Sequence, residues 1–246
     1  MRKALFAIAL LLAAFAVHAA ERKYAVLSIV GDRLMLVGRQ PTTGSSLDSN
    51  TRKYVELAAP AFDNVALASV DSYVKGAHPG ATTVLLAVRV PAALRAQEKA
   101  LRTDGTVREI VEALAPALAT TGATHLILVT KDRHEARIAL RNMSVGSGYL
   151  EGLGFYIDRD TPIEMRPSGE RFVGFLAPFA YFRVSVVDLA SSAVLKEESV
   201  LASYVVGNAQ TLHPWDTMTP ERKVNSLQPL LRREIARVML ALLPPE

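Results

Sequence analysis

The chain has 246 residues, half of them hydrophobic and 21% charged, and no cysteine. That balance describes a folded protein with an apolar core, and the missing thiols exclude disulfides, thiolate metal sites, a thiol nucleophile and a lipid-modified N-terminal cysteine. The formal charge of +4 falls to +2 without Arg2 and Lys3, and no block of five or six like charges makes a case for nucleic acid.

Arg2 and Lys3 precede the uncharged run Ala4 to Val17, and Val17-His18-Ala19 supplies the −3 to −1 positions of a cleavage site. The pattern predicts a secretory signal peptide cut after Ala19. The run is shorter than the about 20 apolar residues of a spanning helix. An exported chain of this length needs no disulfide staples, and its lack of cysteine suits a bacterial periplasm. Residues 20–246 are expected to form one domain with a loop or hairpin insertion at about 145–178.

Tyr24 to Val30 and Leu34 to Val37 flank Gly31-Asp32-Arg33 and read as a hairpin. Gln40 to Thr51 reads as a loop. Phe62, Ala66, Val70, Tyr73 and Val74 give helical spacing from Pro60 to Lys75, with Gly76 as its end. Thr82 to Val90 suggests a buried strand, and Pro91 opens a short helix that stops near Asp104-Gly105. Thr106 and Glu109 form a capping-box pattern. Val107, Ile110, Val111, Leu114 and Leu118 then line one helical face. Pro116 implies a kink or an early end, and Gly122 a C-cap. His125 to Val129 reads as a central strand. Lys131-Asp132-Arg133 reads as a turn, and Ala136, Ile138 and Leu140 alternate with Arg137 and Arg141 on a return strand.

Val145 to Pro178 differs in kind, being rich in glycine, proline and aromatic residues. A long irregular connection of this sort is usually functional or mobile, with Phe155 to Asp158 as a short strand inside it. Ala180 to Leu189 and Val194 to Val206 form a hairpin around Ala190-Ser191-Ser192. Val224, Leu227, Leu231, Ile235, Val238 and Leu242 mark a terminal helix that starts at Thr219-Pro220 and is kinked or split at Pro229. The sum is an α+β (or α/β) fold, with helices packed on a mixed, largely antiparallel sheet.

No H-E-x-x-H is present, and His134-Glu135 beside Asp132 reads as a solvated turn. Gly146-Ser147-Gly148 is not the G-x-S-x-G of a nucleophile elbow. The glycines at 146, 148, 152 and 154 lack both phosphate-loop and dinucleotide registers. Asp158-Arg159-Asp160 is only a fragment of a calcium loop. No metal or cofactor is expected. The aromatic segment remains: Tyr149, Leu153, Phe155, Tyr156, Phe172 and Phe175 form an interaction surface if the stretch 146–181 is exposed, and core if it folds back as strands.

From "THLILVTK" through "GSGYLEGLGFYID" to "FRVSVVDLASSAVLKEESV" and the terminal helix, about half the chain resembles the curli secretion channel family, with the related lipoprotein activators of peptidoglycan synthases and TolB-type N-terminal domains. Those lipoproteins carry an N-terminal cysteine for acylation, which this chain lacks. The resemblance implies that the aromatic segment is a hairpin facing a membrane or a partner. The expected function is that of a periplasmic, non-catalytic binding or accessory protein of the cell envelope. Its partner would be an envelope protein or a second copy, with no nucleic acid and at most peripheral membrane contact. The alternative is an envelope hydrolase with a site near Ser147, His134 and Asp132.

Overall fold

The structure is a computed structural model that describes residues 22–41, 48–57, 60–87, 89–103, 106–140, 143–164, 171–208 and 218–245. The leader and most of the Gln40–Thr51 loop lie outside the described residues. The elements follow in the order β1 (Lys23–Ser28), β2 (Arg33–Gly38), β3 (Thr51–Glu56), α1 (Ala61–Ala77), β4 (Thr82–Leu86), α2 (Pro91–Arg102), α3 (Val107–Ala119), β5 (His125–Lys131), β6 (Arg133–Glu135), β7 (Ile138–Ala139), β8 (Ser144–Val145), β9 (Tyr149–Glu164), β10 (Arg171–Asp188), β11 (Ala193–Ser203), β12 (Val206–Asn208) and α4 (Pro220–Leu242). The fold is α+β: helices packed on a mixed sheet in which antiparallel pairs outnumber parallel ones.

β10 is the spine of the sheet. One of its edges carries β9 along residues 171–181 and then β5 along 182–188, while the other carries β12 and β11. β5 and β9 therefore lie end to end in one row. β1 pairs in parallel with β5, and β2 in parallel with β9, so these two make the next row, again end to end. β4 on β1 and β3 on β2 close the far edge. The expected hairpin of Tyr24–Val30 with Leu34–Val37 is thus corrected: the two runs continue each other. Both are too apolar to leave a face in water, so each takes an interior row. Gly31 in the link lies hard against α1, where a Cβ would come within 2.9 Å of Phe62 Cβ.

Alternation within β1 shows the layering. Tyr24 and Val26 face α1 and α4, whose apolar sides cover one whole face of the sheet. Ala25 and Leu27 face α2 and α3, which cover the other face at the β1–β5 end. At the β2–β9 end that second face is covered by the excursion 132–150, through Ala136, Ile138 and Leu150.

Other expectations are corrected in detail. The 145–178 stretch is mostly β9 and β10, paired with each other, rather than irregular chain. β4 stops at Leu86 and is a partly exposed edge strand, not a buried one. The return strand after Asp132 is two short pieces, β6 and β7. The capping box does not form: the Thr106 side chain makes no cap bond, and Lys99 Nζ takes the Glu109 carboxylate at 2.9 Å. Neither Pro116 nor Pro229 ends its helix, and α4 runs unbroken past Pro229. Thr219 does cap α4, accepting from Arg222 N at 3.3 Å, and Gly122 takes φ +63° after α3. The 180–206 hairpin is β10 with β11. No described helix is long and apolar enough to cross a membrane.

Candidate functional site

The Gly/aromatic hairpin begins at the break between β5 and β9 in their shared row. β5 ends at Lys131, the chain leaves on the excursion at Asp132, and it returns at Gly152, whose N–H donates to Asp132 O at 3.2 Å. Gly152 has φ +62°, and a Cβ there would press on the Lys131 stem at 3.1 Å. The bare glycine thus lets Lys131 lie under the break with 2% of its side chain exposed. Lys131 Nζ meets Asp32 Oδ1 at 2.6 Å and Glu98 Oε1 at 3.6 Å. Arg33 bridges Glu98 at 2.6 Å and Glu151 at 3.6 Å. Sequence reading missed this charged seam, because its members come from four elements far apart in the chain.

Of the predicted contact residues, Leu153, Phe155, Tyr156 and Phe175 are fully buried. As side chains for a partner to touch they are corrected to core. Leu153 and Phe155 pack under α1 and α4, and Tyr156 and Phe175 under the excursion. The tyrosines there also satisfy the excursion's backbone. Tyr156 OH accepts from Ser147 N at 3.1 Å, and Tyr181 OH from Arg137 N at 2.8 Å. A ring that is apolar in body and polar at its tip suits that double role, and burial raises the pKa of both phenols.

Tyr149 is different: it is 39% exposed, with the Arg133 guanidinium 4.8 Å from its ring centroid. Beside it, Tyr54 is also part-exposed, under Arg33 at 4.4 Å. Tyr54 OH donates to Glu151 Oε1 at 3.0 Å. Burial, followed by the Glu151 charge, raises the Tyr54 pKa to about 12. Phe172 lies in register opposite Ile163 near the far end of the hairpin.

The far end carries its own knot. Asp158 is buried and accepts from Arg39 Nη1 at 3.2 Å, Asp160 N and Thr161 N at 2.9 Å, and Thr161 Oγ1 at 2.7 Å. β2 stops pairing with β9 at Ile157, and β12 pairs with β10 at Leu176 and Phe175, no further out among the described residues. Among the described residues, no further strand lies along 159–164 and 171–174, which form a two-stranded ribbon beyond the body of the sheet. Val173 on it is 61% exposed.

Ser147, His134 and Asp132 do not assemble as one catalytic set. His134 Nε2 and Asp132 Oδ2 are 3.1 Å apart, but Ser147 Oγ bonds Asn50 Oδ1 and Tyr156 OH, each at 3.4 Å. Asp132 is instead the hub of a charge cluster that includes Arg183 Nη2 at 3.3 Å. Burial would raise its carboxyl. The Ser199 hydrogen bond and the charges of Arg183 and His134 outweigh burial and hold it below the ordinary value.

No family model and no curated protein matches the chain. Among solved structures, the PelC dodecamer from Paraburkholderia phytofirmans is similar at 9% identity and a TM-score of 0.32, over 92% of this chain and 89% of that one. A hypothetical protein from Chlamydia trachomatis is similar at 15% identity and a TM-score of 0.33, over 91% of this chain and 99% of that one. At these scores neither likeness says what this chain does.

Proposed function

We propose that the chain is an exported accessory protein of the bacterial cell envelope that works by contact rather than catalysis, and that the outer ribbon of the aromatic hairpin is what it presents to an envelope partner. The observation that carries this reading is the self-paired ribbon 159–164 with 171–174, with no strand along either edge among the described residues. A lone two-stranded ribbon is marginal in water, and open strand edges bearing apolar residues are natural docking elements. The leader pattern supports export, and the resemblance to envelope assembly proteins supports a hairpin facing a partner.

The test joins Asp158 directly to Phe175, which are opposed in register, through an Asn-Gly turn in place of 159–174. The shortened chain should fold, because the inner hairpin keeps its core. A photo-crosslinking residue at Val173 in the intact chain should give a discrete adduct in the envelope, and the shortened chain should fail to compete for it. The reading fails if the Val173 position yields no adduct, or if the shortened chain competes as well as the intact one.

A further inference from the structure

The far edge of the sheet has a hole. β4 ends opposite Leu27, and beside β3 the last bond is from Leu57 N to Asp32 O at 3.2 Å, so among the described residues no strand lies beside 28–31 on that edge. A cavity of about 230 Å³ opens there. It lies at the carboxyl ends of the parallel strands β1 and β4, the end at which open α/β sheets bind ligands. Ile29, Leu67, Leu86 and Leu94 form its apolar walls, while Asn64 and Arg89 stand at the exposed rim.

Its polar lining is Ser28, Asp63 and Asp32. The Asp32 carboxylate already meets Lys131, but among the described residues that of Asp63 meets no cation. Asp63 is 9% exposed, and its Oδ1 accepts from Ser28 Oγ at 2.7 Å and Gly31 N at 3.0 Å. The backbone N–H of Val30 is a third neutral donor. A carboxylate offers about four acceptor sites, and a buried charge is costly unless it is paired. Burial accordingly raises the Asp63 pKa.

We propose that this cavity binds a small organic cation, an ammonium or guanidinium on a short apolar body, with its charged head on Asp63 and its hydrocarbon between Leu67, Leu86 and Leu94. The carboxylates of Asp63 and Asp32 in the lining disfavour an anion. The leucine walls exclude a bare metal ion, which needs a shell of oxygen ligands. The volume falls below the roughly 300–1,000 Å³ of drug-sized sites, so the ligand is small.

The experiment titrates the purified exported chain with pentylamine and agmatine against pentanol and pentanoate, read by melting temperature and calorimetry. The two cations should bind and raise the melting temperature, since a ligand of the native state stabilises it, and the alcohol and the acid should not. Asp63→Asn keeps a side-chain oxygen for Ser28 and Gly31 and should weaken cation binding by about tenfold or more. Leu94→Phe narrows the cavity without touching Asp63 and should weaken binding too. The proposal is overturned if neither cation raises the melting temperature, if the alcohol matches the amine, or if the folded Asp63→Asn chain binds as tightly as the parent. In any of these cases Asp63 is only the anchor of the 29–31 link.

Discussion

The inner and outer parts of the β9–β10 hairpin belong to one pair of strands and share one ladder, yet they meet opposite fates. From Gly152 to Ile157 and from Phe175 to Tyr181 every residue is buried, since α1 and α4 lie on one face and the excursion 132–150 on the other. Among the described residues neither β2 nor β12 follows beyond the Asp158 knot, and Val173 is 61% exposed. Burial is decided by what lies opposite a strand, more than by the strand's own composition. An aromatic-rich stretch is therefore no guide by itself to where a surface is.

The sharpest way to break this comparison is at Gly154. A Cβ there would overlap the Met35 carbonyl oxygen and crowd the Phe179 ring. Gly154→Ala should cost at or beyond the top of the roughly 1–3 kcal/mol usual for overpacking, read as a collapsed denaturant midpoint. Phe179→Ala in the inner hairpin should cost about 3–5 kcal/mol by the same measure, because its ring is fully buried.

Asp132 tests the hinge end of the inner hairpin through pH. Its folded pKa is depressed, so its stabilisation is complete above the ordinary carboxyl value of 3.8 and is lost as pH falls through the folded value. Asp132→Asn should be less stable by about 1–2 kcal/mol near neutrality. The gap to the parent should close in acid, as equilibrium unfolding at stepped pH would show. A gap that stays constant into acid would remove the carboxylate from the account. The smallest effect belongs to the outer ribbon, where Val173→Ser should move stability by no more than about 0.5 kcal/mol. A loss comparable to Phe179→Ala would mean that the ribbon is core after all.

Much of the fold was legible from local pattern. The helical spacing of Phe62, Ala66 and Val70, the turn Ala190-Ser191-Ser192 and the Thr219-Pro220 start all correspond to observed elements, because period and turn chemistry are short-range properties. What stayed hidden was long-range. The run at Gly31 looked like a hairpin because a glycine turn and a glycine pressed against a helix leave the same mark in a sequence. β3, with Arg52, Lys53 and Glu56, is an edge strand too polar to show as one. The aromatic stretch admitted both burial and exposure, and the choice depended on the excursion 132–150, whose path no local rule specifies. Asp63 was invisible as a candidate: nothing in its neighbours on α1 reveals that Ser28 and Gly31 reach it from the end of β1 and the link beyond.

The closure of the excursion by the Gly152–Asp132 hydrogen bond has a bearing on engineering. Its two ends are neighbours, so foreign sequence could be spliced into it without pulling the row of β5 and β9 apart. Its base could not host such a splice, because Ile138 and Leu150 roof the aromatic core. The crest at Met143, 62% exposed, is where an affinity tag or a reporter domain should be tolerated.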